Sequence, residues 1–323
     1  MGGLLTFGEL LVDLTPAGET DGRKLFMQNP GGAVANVAAA ACGFGIESAF
    51  MGMVGDDVFG NYLVDVLDSK GVDTSSVVKS DLYNTTLAIV HLFDNGDRDF
   101  SFYRKPGADI MFSADMIDER KLRGISVFHF GSLSFTDEPV RGATFSALDI
   151  AKKAGVTISY DPNYRAALWG DKKTAKEYML KGLEYADILK ISDNEVDFLF
   201  GKMPYKDAAK MLVSRGIKLV FVTMGGSGAV YANRHGAGHA QGFAAKMADA
   251  TGAGDCFTAA ALSKYLNSGK GLNQLSLEDA HGFALFANAA ASLCVEKMGG
   301  IPAMPSLKQA EERLKTRGCF AAD

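Results

Sequence analysis

Along this chain, short continuous apolar runs alternate with longer stretches whose apolar residues recur every three to four positions. A run of four to eight apolar residues bounded by turn residues reads as a buried strand, and the 3.6-residue period reads as a helix buried on one face. Strands are therefore predicted at Leu4–Leu10, Ser48–Val54, Val127–Gly131, Thr157–Asp161, Ile188–Ser192 and Leu219–Met224. Helices are predicted at Ala33–Cys42, Phe59–Ser69, Pro139–Ala154, Lys173–Gly182, Asp207–Ser214, Ala253–Leu266, Leu277–Val295 and Leu307–Lys315. Gly43, Gly71, Gly155 and Gly216 stand where helix C-caps belong. Such β-α alternation predicts an α/β protein: a mostly parallel sheet covered by helices on both faces.

Two segments, Thr15–Gln28 and Thr86–Met111, carry no helical period. Thr86–Phe93 and Arg98–Tyr103 read as two strands joined by Asp94-Asn95-Gly96-Asp97, a hairpin signal. Strands outside a βαβ series suggest a small antiparallel unit beside the main sheet. Such a unit is suited to cover a site or to pair through its open edge with a second copy.

Composition narrows the function. The 323 residues are 47% hydrophobic and 22% charged, ordinary globular values that exclude a disordered chain. Lys and Arg total 33 against 38 Asp and Glu, a formal charge of -5, with no basic patch of the kind a nucleic-acid partner requires. Cys42, Cys256, Cys294 and Cys319 are scattered without a C-x-x-C pair, which fits a reduced, cytoplasmic protein better than a zinc ribbon. The charge-free run Leu25–Ile46 is interrupted by Gln28, Asn29, Pro30 and Asn36, so it reads as a loop and a buried helix rather than a membrane span. Glycine is the anomaly: 37 residues, where about 23 would be ordinary. An excess without a repeat points to tight turns and to loops that approach a ligand closely.

Some of those glycines sit in chemically suggestive places. Asp249-Ala250-Thr251-Gly252-Ala253-Gly254-Asp255 runs straight into the helix from Ala253. A glycine turn feeding a helix N-terminus offers free N–H groups and the positive end of the helix dipole to an anion, a phosphoryl group above all. Asp255 would repel that anion, so it needs another reason to be there: taking a proton from an attacking hydroxyl, or capping the helix. Gly31-Gly32 before a helix carrying Asn36 suits close approach to a small polar ligand, or simply a packed turn. Thr223-Met224-Gly225-Gly226-Ser227-Gly228 follows a buried strand, at the sheet edge where α/β proteins bind ligands. It is not a P-loop. His235-Gly236-Ala237-Gly238-His239 has metal-ligand spacing, but its glycines break any helix, and it reads as a solvated loop.

Three of these pieces together resemble the PfkB carbohydrate-kinase family, the ribokinase-like kinases: Gly31-Gly32-x-x-x-Asn36 running on to Val54-Gly55-Asp56-Asp57-x-Phe59-Gly60, then Thr223-x-Gly225-x-x-Gly228, then the Asp249–Asp255 box. Within that family the chain is most similar to fructokinases over nearly its whole length. The similarity lies in Gly8-Glu9-Leu10-Leu11-Val12-Asp13, Phe102-Tyr103-Arg104 with Ala108-Asp109, and Asp161-Pro162-Asn163-Tyr164-Arg165 with Leu168-Trp169. It continues through Ser192-Asp193-Asn194-Glu195 and Lys297-x-Gly299-Gly300-Ile301-Pro302.

The resemblance implies one ribokinase-like domain over residues 1–323, a three-layer α/β/α sandwich with a lid built from segments about 14–30 and 84–111. It implies a sugar kinase using ATP and Mg²⁺, with a monovalent cation possible, that phosphorylates D-fructose to fructose 6-phosphate. Asp255 would be the general base, and the N–H groups of Gly252, Ala253 and Gly254 the anion hole. Asp13, Gly31, Gly32, Asn36, Phe102, Arg104 and Arg165 would surround the sugar. Lys190, Thr223, Gly225, Gly228, Gly254 and Asn288 would meet the nucleotide, and Glu195 would place Mg²⁺ through water. The sequence departs from the family where Ser192-x-x-Glu195 replaces Asn-x-x-Glu and where Ala250 replaces a threonine. The alternatives are a 2-keto-3-deoxygluconate kinase, a kinase of another sugar, or a sugar-binding regulator without turnover. No nucleic acid or membrane partner is implied, and a homodimer through the lid strands is.

Overall fold

The computed structural model describes residues 3–92 and 98–316; the hairpin residues 94–97, Arg317 and Cys319 lie outside the described residues. In chain order the strands are β1 (Leu4–Phe7), β2 (Leu11–Thr20), β3 (Arg23–Gly31), β4 (Ser48–Gly55), β5 (Asp73–Ser80), β6 (Leu87–Leu92), β7 (Arg98–Tyr103), β8 (Val127–Gly131), β9 (Thr157–Asp161), β10 (Ile188–Ser192), β11 (Leu219–Thr223), β12 (Ala229–Asn233) and β13 (Gly236–Ala240). The α-helices are α1 (Ala33–Gly43), α2 (Val58–Ser69), α3 (Glu119–Gly124), α4 (Val140–Ala154), α5 (Lys172–Leu183), α6 (Asp193–Phe200), α7 (Tyr205–Ser214), α8 (Ala253–Asn267), α9 (Leu277–Cys294) and α10 (Leu307–Lys315).

Nine strands form the central sheet in the order β13-β12-β11-β10-β9-β8-β1-β4-β5. All neighbouring pairs from β11 to β5 are parallel, and β12 and β13 close the other edge antiparallel. Successive strand residues serve opposite faces, which is why the strands read as continuous apolar runs. Leu5 and Phe7 of β1 join the core under α4, α5, α6 and α7, whereas Leu4 joins the core under α1, α8, α9 and α10. The result is the expected three-layer α/β/α sandwich. Among the described residues no helix is long and apolar enough to cross a membrane.

A second sheet of four strands, ordered β3-β2-β6-β7, stands beside the first. β2 and β3 pair antiparallel, as do β6 and β7, while β2 and β6 are parallel. The sequence held a signal for the first hairpin that the reading above passes over. Asp21-Gly22 takes positive φ at both positions (50° and 71°), as a two-residue hairpin turn demands.

Other elements correct the sequence reading. Asp73–Ser80 is an edge strand paired only with β4, and its many polar residues hid it. α6 was missed although Ser192-x-x-Glu195 is a complete capping box. Gly43 ends α1 within the helix, and the left-handed residue is Gly45 (φ 79°). The segment expected as a loop around His239 is strand β13. Its Gly238 is needed because the Tyr231 hydroxyl lies where a Cβ would stand.

Close packing under β9 offers a direct test. A Cβ on Gly182 of α5 would lie 2.6 Å from the ring of fully buried Tyr160. Gly182→Ala should therefore cost about 1–3 kcal/mol through overpacking. Gly124→Ala, where nothing stands within 4 Å of the new Cβ, should be neutral. Urea denaturation of both variants checks the pair.

Candidate active site

A cavity of about 740 Å³ opens at the carboxyl ends of the parallel strands. Its walls come from both sheets. Leu11, Asp13 and Phe102 enter from the small sheet; Asn163, Arg165, Lys190 and Thr223 enter from β9, β10 and β11 and the turns after them, and Glu195 from the first turn of α6. The floor is Gly252, Gly254 and Asp255 at the start of α8. α1 and α8 are rich in buried alanines, and Ala40, Ala41, Ala259 and Ala260 share one core between them. Small side chains let the two helices approach, and that approach brings Asn36 to Asp255 across 219 residues of sequence.

Asp255 is buried, only 7% exposed. Asn36 Nδ2 donates to its Oδ2 at 2.8 Å, and Asn163 Nδ2 donates to its Oδ1 at 3.4 Å. Asn36 Oδ1 is itself buried without a hydrogen-bond partner among the described residues. Burial, and after it the charge of Asp161, pushes the Asp255 carboxyl up to about 6, against the opposing pull of Asn36, Lys190 and Arg165. A carboxyl titrating there is a stronger base than an ordinary aspartate and is still ionised at pH 7.

Lys190 lies beside it, with Nζ 3.0 Å from Asp161 Oδ2. Burial pulls this ammonium down, but Asp161, Glu195 and Asp255 outweigh burial and hold it above the usual lysine range. A Cβ on Gly254 would lie 2.8 Å from Lys190 Nζ, so a side chain there would displace the cation from its place against the start of α8. Gly252 is left-handed at φ 78°, where a Cβ would also meet Gly300 Cα at 3.1 Å. Gly32 has φ 109°, and a side chain there would run into the Glu9 carbonyl.

Other carboxyls share the cavity. Glu9 Oε1 accepts from the Ala33 N–H at 2.6 Å, and burial pushes Glu9 up to about 7. Burial likewise pushes Asp13 to about 7, opposed by Arg165 and reinforced by Asp249 and Asp255. Asp249 accepts from the N–H groups of Thr251 and Gly299, at 2.8 and 3.0 Å, and so pins the glycine turn to the segment after α9.

Most of the residues singled out from sequence meet here: Asp13, Gly32, Asn36, Phe102, Arg165, Lys190, Glu195, Thr223, Gly252, Gly254 and Asp255 all line the cavity. Gly31 stands just behind the wall, where a Cβ would strike the Asp13 carboxylate. Other expected residues stand elsewhere. The Ala253 N–H, one of three donors expected to face an anion, already donates to the Ala250 carbonyl at 3.2 Å. Arg104 does not line the cavity; it is buried and committed to Asp109 at 2.6 Å, to Thr136 Oγ1 and to the Leu133 carbonyl. Asn288 does not line it either, because its amide ties down the carbonyls of Ala240 and Gln241 at 2.9 and 3.1 Å.

Gly225 (φ 53°) and Gly228 (φ 89°) shape the turn after β11 and lie beyond the cavity wall. The Glu195 carboxylate accepts from Tyr164 N at 2.7 Å and from Ser192 N and Oγ at 2.8 Å. Glu9, Asn163 and Asp249 were given no role from sequence. Asn163 is the hardest of them to foresee, since its partner lies 92 residues away.

Comparison with known proteins follows the same lines. Residues 1–307 match the model of the pfkB family carbohydrate kinases. "Probable fructokinase-5" of Arabidopsis thaliana is 39% identical over 321 residues, covering 97% of this chain and 98% of that protein. The fructokinase of Xylella fastidiosa with bound ATP superposes with a TM-score of 0.87 at 30% identity, covering 98% of each chain. The fructokinase of Vibrio cholerae O395 in its fructose, ADP and calcium ion bound form superposes with a TM-score of 0.87 at 29% identity, covering 97% of this chain and 99% of that one.

The buried charge at position 255 has a consequence for stability. A carboxyl whose folded pKa is raised favours the folded state least when it is ionised, so the penalty is absent below about pH 4 and grows as pH rises through 6. Asp255→Asn removes that penalty. The variant should be more stable than the parent at pH 8 by up to about 3 kcal/mol, with the gap closing towards pH 4. Urea melts at both pH values measure it, and an equal stability at pH 8 would contradict the burial argument.

Proposed function

The chain belongs to the pfkB family of carbohydrate kinases, phosphotransferases that act on a sugar hydroxyl, and we propose that it transfers the γ-phosphoryl group of ATP to the 6-hydroxyl of D-fructose, with Asp255 as the general base. The observation that carries this reading is the buried Asp255 carboxylate at the N-terminus of α8, beside Gly252 and Gly254 and close to a committed lysine. Phosphoryl transfer asks the protein for positioning, charge neutralisation and a base, and for little covalent work.

Asp255 takes the proton from the sugar hydroxyl as that oxygen attacks phosphorus in line, and ADP leaves. The N–H groups at the start of α8 and the Lys190 ammonium face the charge that develops on the transferring group. A divalent ion arrives with the nucleotide phosphates. No group of three or more His, Cys, Asp or Glu among the described residues forms a ready metal cage, and the Glu195 carboxylate, already accepting three hydrogen bonds, would reach the ion through water. The small sheet acts as a lid. Phe102, Asp13 and Leu11 lie on it and on the cavity wall at once, so its seating excludes water and suppresses ATP hydrolysis.

The charge pattern favours a neutral sugar over 2-keto-3-deoxygluconate. An acid substrate needs cationic partners, and of the two arginines only Arg165 lines the cavity, while Glu9, Asp13 and Asp255 oppose a second carboxylate. The printed ligands of the Vibrio cholerae enzyme, fructose and ADP, support the same substrate pair. Free Cys42, Cys256 and Cys294 suit a reducing cytoplasm. The apolar side chains of Leu25, Phe26 and Met27 on β3 are 43–45% exposed and suit pairing of two copies through the small sheets.

With Mg-ATP, D-fructose should give a higher kcat/KM than 2-keto-3-deoxygluconate, D-ribose or adenosine in a coupled ADP assay. ADP release no faster with fructose than with water alone would sink the substrate assignment. Asp255→Ala should lower kcat by at least a thousandfold while calorimetry finds fructose affinity within a few-fold of the parent. Because the base must be ionised, kcat should fall tenfold per pH unit below about 6. Sedimentation equilibrium at micromolar concentration should report a dimer, and Phe26→Asp should shift it to monomer.

A further inference from the structure

Asn163 stands in a backbone conformation that most residues avoid. Its φ is 45°, in the left-handed region that Asn and Gly tolerate best. It directly follows Pro162 and is buried, 7% exposed. The Asp161 carboxylate holds it there: Asp161 Oδ1 accepts from the Asn163 N–H at 3.2 Å, while Asp161 Oδ2 is bound to Lys190 at 3.0 Å. The turn therefore has two fixed points, and what they fix is an amide whose Nδ2 is 3.4 Å from Asp255 Oδ1. Asn36 holds the other oxygen, Oδ2, at 2.8 Å. One carboxylate is gripped from two sides by neutral donors, one short and one long.

We propose that Asn163 is a positioning residue that aims Asp255 Oδ1 at the attacking sugar hydroxyl, leaving Oδ2 locked by Asn36. The inference rests on Asp255 being the base. The asymmetry of the two bonds assigns the roles of the two oxygens. The short bond to Asn36 fixes Oδ2 and the plane of the carboxyl. The long bond to Asn163 leaves Oδ1 a lone pair for the incoming proton while restricting its swing. Neutral amides do this where a cation would not, because a direct lysine or arginine bond would depress basicity. Asn163 also favours the ionised carboxylate by donating to it. The charged groups facing Asp255 are Asp13 on β2, Asp161 on β9, Lys190 on β10 and Arg165 in the turn after β9. None of them is altered by a change at position 163.

Asn163→Gly keeps a backbone free to adopt φ 45° and deletes only the amide. It should fold with an unchanged circular dichroism spectrum, lower kcat ten- to a hundredfold and leave the fructose KM within threefold. The acid limb of its kcat profile should move up by at least half a pH unit, because a donor to the ionised form has gone. Asn163→Ala should show the same kinetic defect with an added loss of thermal stability from the strained φ. Asn163→Gly with parent-like kcat and acid limb would overturn the proposal. So would a loss of kcat with the acid limb unmoved, since that is the mark of a purely structural role. Asp255→Asn is measured alongside. If it turns over, the base assignment itself fails; if it is inactive while Asn163→Gly is normal, only the positioning role fails.

Discussion

A carboxylate buried at the positive end of a helix has to be held without being neutralised, and the architecture of this kinase follows from that requirement. Asp255 opens α8 and faces Lys190. Were the ammonium bonded to it directly, the pair would be tight and the carboxylate a poor base. Instead Lys190 is bonded to Asp161 on the neighbouring strand. Asp255 then feels two opposed charges, and burial decides the balance, leaving a carboxyl near 6. β9 and β10 are parallel neighbours, so Asp161 and Lys190 emerge side by side at the same edge of the sheet. The sheet register thus sets the electrostatics of the site.

Close backbone approach is the second consequence. Asn36 reaches Asp255 only because α1 and α8 pack through alanines, and the segments flanking both helices are glycine where the crowding is worst. A Cβ at Gly300 would lie 2.6 Å from Asn36 Oδ1, and one at Gly254 would press on Lys190. The glycine excess that marks the composition is in part the cost of bringing two helix starts, a lysine and a tail segment into one small volume. Other glycines end helices, as Gly155 does at φ 72°.

Sequence patterning revealed the sandwich because its strands are buried on both faces and its helices are periodic. It was weaker wherever an element has only one apolar face or a polar edge. β5 pairs on one side only, β13 is mostly glycine and alanine, and the small sheet leaves one surface exposed at Leu25, Phe26 and Met27. Two local signals stood in plain view, Asp21-Gly22 for a hairpin and Ser192-x-x-Glu195 for a helix start. The Asp255 box was legible because its chemistry is local. Arg104 and Asn288, expected at the ligands, have their polar groups taken up by partners in the fold, Asp109 for one and the Ala240 carbonyl for the other. No spacing rule gives those pairings.

The small sheet contributes Asp13 and Phe102 to the cavity, so how it is fastened to the main sheet shapes the site. The chain crosses between the sheets at several places, and each crossing carries a polar tie. Glu9 caps the Ala33 N–H where the chain returns through Gly31 and Gly32 into α1. At the next crossing the Asp57 carboxylate accepts from the N–H groups of Phe59 and Gly60 at the start of α2 and from both the N–H and the hydroxyl of Thr85 before β6. These bonds hold Asp57 below the usual carboxylate range against the opposing effect of burial. At the exit, Arg104 and Thr86 converge on Asp109. Arg104 is thereby held outside the cavity lining, its charge paired with Asp109 where the chain leaves β7. Of the buried cations Lys190 and Arg104, Lys190 lines the cavity beside Asp255 and Arg104 does not.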